Sequence, residues 1–511
     1  MAVMKSEIFE QKANSYKRPL KHQRAEPVGL VRFAENPAAF QGFQVIEVGS
    51  AKLPLTINKG ETMIFDFGDH YVGYLHFSLA HLQIARIADS PVELRFSFGE
   101  FPLEIVADSN QYKGTLGRGW IQRETKSVVF TPYTGSLERR YAFRYLKVER
   151  VDSALFPVDI TELFVDAVSS VSLAQVAPVE IADSRLDAIY RMSLKTLKEC
   201  EQDVFEDGPK RDRRLWIGDL RLQALSDFLT FENQALVKRC IYLFAAYRTE
   251  DGLVAPCVFP DSPPCVDGWV FIDYSLFFIS CLYDYTLQYG DMAFLEELYP
   301  IAEHQARRCL ELFDFATGEL TAKPAHIEWC LGLDKGLAAA SVLIYTMKQL
   351  AVLTERLGKE RTWIDEAVAK VTESVLSKHE CVNGLYKTDK GQISWSSHIW
   401  LVLANVLPLE DNIRILKALE EQQPDFGIHT PYLMHYYIDA LYGCGLKEEA
   451  MEQVKSFWGM LVDFGFDTCP EIFNPADHME SPYSAPELNS ACHAWSCTPI
   501  YWIRRYQEEN Q

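Results

Sequence analysis

The sequence predicts a β + α protein: an antiparallel β-sandwich over residues 1–175, including an N-terminal lead segment, then an (α/α)6 barrel over residues 176–511. Three observations predict it. The chain has 511 residues, too many for one ordinary hydrophobic core. Its apolar residues recur with a strand-like period up to about residue 175 and with a helical period beyond it. The helical part holds about twelve segments without a fixed-length repeat, which favours alternating inner and outer rings over a solenoid.

In the first part, ETMIFDFG, YVGYLHFSLA, VELRFSFGE, KSVVFTPY and YAFRYLKVERV are short runs of β-branched and aromatic residues. Gly, Asp, Asn and Pro punctuate them. Phe143, Tyr145, Lys147 and Glu149 alternate with Arg144, Leu146, Val148 and Arg150. The loops of this sandwich are expected to carry few chemical groups.

In the second part, Ser184 reads as an N-cap with Asp187 three residues on, and Leu186, Ile189, Tyr190, Leu194 and Leu197 form an apolar stripe. Similar segments span 219–230, 233–248, 272–289, 293–312, 335–357, 363–377, 394–406, 410–421, 431–443, 447–463 and 489–507. The links at 201–218, 251–271, 322–334, 424–432 and 464–490 are long and rich in Asp, Glu, Trp, His and Pro. Such loops are expected to gather at one mouth of the barrel.

Composition excludes several function classes. A formal net charge of −21 argues against nucleic acid or an anionic membrane as the main partner. No run of about 18 apolar residues predicts a membrane span. The start, MAVMKSEIFEQKANSYKRP, lacks the apolar core of a secretory signal. The 12 cysteines are scattered, with no zinc-site spacing, and read as reduced thiols of a cytoplasmic protein. GxGxxG, a phosphate loop, G-x-S-x-G and H-E-x-x-H are all missing, so neither cofactor nor metal is expected.

Three clusters could carry chemistry. The stretch EDGPKRDRRLWIGDL, from Glu206, sets carboxylates among four basic residues and a tryptophan. Gly208, Pro209 and Gly218 keep it a loop, and Asp219 falls near a helix N-terminus, which favours its anion. The stretch from Gly465 to Trp502 carries Asp467, Glu471, Asp477, His478, Glu480, Glu487, His493 and Trp495. A third group joins Trp269, Asp273 and Tyr274 with His326, Glu328 and Trp329, and with Trp395, His398 and Trp400. Taken singly, most of these are core or salt-bridge residues. Collected at one mouth, they make a cleft with aromatic walls and polar rims, which suits a pyranose. Two separated carboxylates in such a cleft are the minimum for glycoside hydrolysis.

These residues resemble glycoside hydrolase family 78, the α-L-rhamnosidases. That family carries a pattern close to D-C-P-x-R-x-E-R-x-G-W-x-G-D, which stands here as DGPKRDRRLWIGD, Asp207 to Asp219. FDFGDHYVGYLHF, LRFSFGE and FRYLKVE are similar to the family's sandwich strands. GFDTCPEIF is similar to its base segment, and LNSACHAWSCTP to its late barrel helix. The resemblance covers roughly residue 60 onward and implies a six-hairpin glycosidase barrel with an inverting mechanism. The motif is one residue short. Read forward from Asp207, the family's acidic Glu falls on Arg213; read backward from Trp216 and Asp219, it falls on Asp212. The backward reading is adopted because the tryptophan and the helix start fix that end.

The resemblance implies Asp212 as general acid and Glu471 as general base. Asp207, Arg211, Asp219, Asp273, Glu328 and His493 are candidate substrate contacts, and Trp216, Trp269, Trp329 and Trp495 candidate walls. The arginines beside Asp212 are expected to turn toward Glu206 or Asp207, leaving Asp212 facing the cleft. The implied activity is exo-hydrolysis of terminal α-L-rhamnosides or similar deoxy-sugar glycosides, with a small carbohydrate as partner. Many relatives continue with a further β domain where this chain ends, so a homo-oligomer covering that side is a further expectation. Two rival readings stay open: a carbohydrate-binding protein that has lost its acid, and a related hydrolase or lyase acting on uronic acids.

Overall fold

The computed structural model describes residues 3–82, 91–153, 156–261 and 263–510. Ten strands, β1 to β10, build the first domain: Lys21–Ala25, Gly29–Glu35, Phe43–Gly49, Leu55–Ile57, Thr62–Ala80, Val92–Gly99, Arg123–Val128, Tyr133–Ser136, Tyr141–Arg150 and Val158–Ser169. All pair antiparallel, in one hydrogen-bonded network. The 19-residue β5 joins it. Its first part pairs with β9 and β2, and its last part with β10 and β8. Phe65, Phe67, Leu75, Phe77, Phe96 and Phe98 fill the core beneath it.

The simple alternation expected in β9 is broken. Its register against β5 shifts between Phe143 and Tyr145. There β5 advances five residues against two of β9, and the inward face of β9 changes parity, so Phe143 and then Leu146 and Val148 reach the same core. Arg144, at the shift, reaches Asp66 at 2.9 Å and Asp467 of the second domain at 3.0 Å.

Twelve helices, α1 to α12, follow: Ser184–Cys200, Ile217–Asp227, Gln234–Ala246, Ile272–Tyr289, Met292–Glu311, Gly336–Arg356, Thr362–Lys378, Trp395–Leu403, Leu409–Gln422, Pro431–Gly443, Lys447–Asp463 and Pro499–Glu509. The even-numbered helices form an inner ring in which successive members pack together, and the odd-numbered ones lie outside. The ring closes where α12 meets α10 and α2; Trp502 Nε1 donates to His435 Nδ1 at 3.1 Å. Helix α6 is long and apolar enough to cross a membrane, but 83% of its apolar window is buried among its neighbours. Every link from an outer helix to the next inner helix is long, and the return links are short. The long links therefore share one mouth, as expected, and lead into inner-helix N-termini.

Two helix starts differ from expectation. Asp183, not Ser184, caps α1; its carboxylate accepts from the backbone N–H groups of Arg185 and Leu186. The last helix begins at Pro499 rather than near 489. The N–H groups of Ala491, His493 and Ala494 donate to Glu100, to the Cys469 carbonyl and to the Asp207 carbonyl, so they are not available for helical bonds.

The lead segment lies on the helical domain. Val3–Lys5 pairs with Tyr247–Thr249, and helix Glu7–Ser15 packs on α3, where Phe9 and Tyr242 stack.

The sheet domain carries chemistry too, within β5 and just after β6. His70 and Glu100 reach a buried ionic cluster on the helical domain. His70 Nδ1 meets Glu199, His70 Nε2 lies 3.0 Å from Glu100, and Lys195 lies 3.0 Å from Glu199. Burial pushes the His70 pKa down, but Glu199 and Glu100 outweigh it and hold it well above its usual value. Glu199 is correspondingly held at about 2, with Lys195 and His70 outweighing its burial. His70, Glu199 and Cys492 each bring one potential ligand atom within 4.8 Å of the others. Imidazole and carboxylate already satisfy each other there, and the cluster reads as an ionic lock between domains. Replacing Glu199 with Gln is expected to cost about 3–5 kcal/mol, the cost of breaking a buried pair. A raised histidine pKa stabilises fully below the unfolded value of about 6.5 and ceases to do so as pH rises through the folded value. Urea unfolding should accordingly show His70→Gln losing most stability near pH 6, with the gap closing on the alkaline side.

Candidate active site

The loop after α1 is bound by backbone bonds before any side chain enters the mouth. The Asp207 and Arg214 backbones pair (Asp207 N to Arg214 O, 3.0 Å), and the Arg214 N–H also donates to Asp207 Oδ1 at 3.0 Å. Lys210, fully buried, donates to Glu104 at 2.7 Å and to the Asn489 carbonyl at 2.8 Å. Arg213 adopts a left-handed backbone, φ 63°, which costs a non-glycine residue about 1–2 kcal/mol. That turn sends its guanidinium away from the mouth, to the carbonyls of Pro209 (2.8 Å) and Arg140 (2.6 Å). Glu206 is engaged by Arg140 instead, through both oxygens. Asp212 is left lining the mouth.

Arg211 does not turn aside as expected. It enters the site, where its Nη2 donates to Glu471 Oε2 at 2.5 Å and its Nη1 to Asp212 Oδ1 at 3.3 Å. Its guanidinium lies 3.9 Å over the Tyr483 ring. Burial works against this cation, yet Glu471, Tyr483 and Asp212 raise its pKa above the ordinary value. Arg214 touches the other Asp212 oxygen at 3.6 Å.

Glu471 comes from the long link before α12. Its N–H donates to the Ser490 carbonyl at 2.9 Å, its carbonyl accepts from Trp495 Nε1 at 2.9 Å, and its Oε1 accepts from Tyr483 at 2.5 Å. The same link is tied to the sheet domain, where Glu100 accepts from the Ala491 N–H at 2.6 Å.

These residues enclose a cavity of about 100 Å³, lined by Asp207, Arg211, Asp212, Trp216, Asp219, Trp269, Phe271, Tyr274, His326, Trp329, Glu471, Tyr483, His493 and Trp495. Trp216 and Trp269 meet edge to face at 5.8 Å, and Trp329 stands at the rim, 43% exposed. Gly218 admits the Tyr274 ring; a Cβ there would stand 2.5 Å from it. Three polar atoms in the cavity's residues are buried without a hydrogen-bond partner among the described residues: Asp219 Oδ1, His493 Nδ1 and His326 Nε2. His493 Nδ1 and Asp219 Oδ1 stand 3.5 Å apart, too far for a good bond. Buried polar atoms are rarely left unpaired, so three in one aromatic cavity point to a hydroxylated ligand.

Asp219 was expected to be favoured as an anion by the helix end. Burial, with Asp207 and Glu471, instead pushes its pKa well up, and burial with Asp212 does the same to Asp207. Burial also drives His326 and His493 down to about 3, helped by Lys335 and Arg211 respectively, so both imidazoles are neutral.

Two candidate contacts lie outside this cavity. Asp273 accepts from the His326 and Ile327 N–H groups at 2.9 and 2.8 Å, and Glu328 accepts from the N–H groups of Trp329, His429 and Thr430. Both are buried backbone clamps that shape the mouth. Trp395, His398 and Trp400 are core; Trp400 packs on Tyr436 and Phe277. Tyr483 and Phe271 were missed. Phe271 lies within DGWVFIDYS and Tyr483 within the stretch from Gly465 to Trp502, and that position was their only signal.

The profile described as glycosyl hydrolase family 78 alpha-rhamnosidase N-terminal domain matches residues 27–167, and that of the bacterial alpha-L-rhamnosidase 6 hairpin glycosidase domain matches 174–506. A solved rhamnosidase from Klebsiella oxytoca with rhamnose bound superposes with a TM-score of 0.94 at 38% sequence identity, over 99% of this chain and 100% of that one. A GH78 family rhamnosidase of Bacillus sp. GL1 gives 0.74 at 20% identity, over 91% of this chain and 49% of that one. An alpha-L-rhamnosidase from Streptomyces avermitilis complexed with L-rhamnose gives 0.65 at 15%, over 96% of this chain and 44% of that one. The last two likenesses bear on the fold alone. No curated protein matches the chain.

Removing the Asp273 carboxylate in Asp273→Ala leaves two buried N–H groups without acceptors, an expected loss of about 1–3 kcal/mol for each. Urea unfolding measures it. Because both cavity imidazoles are already neutral, the pH profile of kcat/KM is expected to show no histidine limb near about 6.5.

Proposed function

The chain belongs to glycoside hydrolase family 78, and from that premise we propose that it is an inverting exo-glycosidase releasing terminal α-L-rhamnose, or a closely similar deoxy sugar, from small glycosides. The carrying observation is that Asp212 and Glu471 enter one aromatic cavity from different links and meet the same guanidinium.

In this reading the sugar lies among Trp216, Trp269, Trp329 and Trp495. Its hydroxyls pair with the unpartnered atoms of Asp219, His493 and His326. Asp212 gives its proton to the glycosidic oxygen. Glu471 takes a proton from water as that water attacks the anomeric carbon from the opposite face. The carbon–oxygen bond to the leaving group breaks, and configuration inverts in one step. Arg211 and Tyr483 hold the Glu471 carboxylate in place.

Asp212→Asn and Glu471→Gln are each expected to lower kcat on an aryl α-L-rhamnoside by about 10²–10⁴-fold while leaving the fold intact by circular dichroism. Early-time proton NMR should show β-L-rhamnose as first product. The α-anomer as first product would contradict inversion, and sugar binding without turnover would support a non-catalytic binder.

A further inference from the structure

Asp212 lines a second cavity as well. This outer space, of about 400 Å³, is walled by Trp120 and Arg139 of the sheet domain and by Arg213, Arg214 and Phe259 of the helical domain. A general acid stands where sugar and leaving group join, because its proton goes to the oxygen between them. The space beyond Asp212 is then where a leaving group lies. We propose that this outer cavity holds the leaving group and suits one bearing a carboxylate, such as a uronic acid.

The charge distribution carries the argument. The chain is strongly acidic, with a formal net charge of −21, yet three arginines line this space. Among the described residues, neither Arg139 nor Arg213 has a carboxylate within ion-pair distance. Arg139 donates to the Gly119 carbonyl at 3.0 Å, and Arg213 spends its bonds on the carbonyls of Pro209 and Arg140. Glu206, the nearby acid, is occupied by Arg140. Burial and the Arg140 charge press the Arg213 pKa down to about 10, which marks a cation short of anions. Arg214 lies 4.2 Å over the Phe259 ring. Two acids also line the space. Asp212 carries a proton when it acts as the acid, and Asp261 is exposed to water at the edge. Half-buried Trp120 offers a face on which a second sugar ring can stack. Carboxylates are the usual partners of guanidinium forks, so an anionic leaving group completes the set.

The inference rests on the hydrolase reading above, and its test separates the two. The intact chain is assayed on an α-L-rhamnosyl glucuronate, on the methyl ester of that disaccharide and on an aryl α-L-rhamnoside. The acid is expected to exceed its ester in kcat/KM by about tenfold, the size of one charge-assisted contact. That ratio should shrink as salt is raised and fall toward one in Arg139→Gln and in Arg213→Gln. Equal rates for acid and ester, with the aryl rhamnoside turned over, overturn this inference alone. A preference that survives both substitutions also overturns it. No turnover of any rhamnoside removes both readings.

Discussion

One buried guanidinium sets the terms of this site. Arg211 bonds Glu471 with one nitrogen and Asp212 with the other, and lies flat on Tyr483. A charge taken so far from water is tolerated only if its partners are fixed and complementary. Four carboxylates, Asp207, Asp212, Asp219 and Glu471, line the same cavity around this cation. They cannot all be anions there at modest cost, and the upward shifts of Asp207 and Asp219 are the result. Arg211 also ties together two loops far apart in sequence, the one after α1 and the one before α12.

The sheet domain helps to hold that pair of loops. Glu104 and Glu100 meet Lys210 of the loop after α1, and Glu100 accepts from Ala491, two residues before His493. Arg144, at the register shift in β9, grips Asp467, four residues before Glu471. Arg140 grips Glu206, next to Asp207 in the loop after α1. Through these contacts the first domain braces the two loops that carry Asp212 and Glu471. Burial raises the Glu104 pKa to about 7 despite Lys210, so this support is itself sensitive to protonation near neutrality.

Much of the architecture was legible because it is local. Apolar spacing revealed the twelve helices, and the contrast between long and short links revealed which end is the mouth. The tryptophan and helix start at the end of the motif placed Asp212 correctly in the cavity, one residue from an arginine that turns away. What the sequence concealed depends on distant partners. Asp273 and Glu328 sit beside aromatics and look like sugar contacts, but their acceptors' work is on N–H groups that only the fold brings near, some a hundred residues away. Residues 489–498 look helical until Glu100 and the Cys469 and Asp207 carbonyls claim their N–H groups. Tyr483 is one tyrosine of 24, and only the returning loop makes it a neighbour of Glu471.

The role of Asp212 as proton donor is the central claim, and leaving-group dependence tests it most directly. The measurement compares the protein with Asp212→Asn on a dinitrophenyl α-L-rhamnoside and on an alkyl α-L-rhamnoside. A leaving group that departs unaided needs no proton, so the variant should keep most activity on the first substrate and lose about 10²–10⁴-fold on the second. Equal losses on both would contradict the assignment and return the proton-donating role to another residue of the cavity.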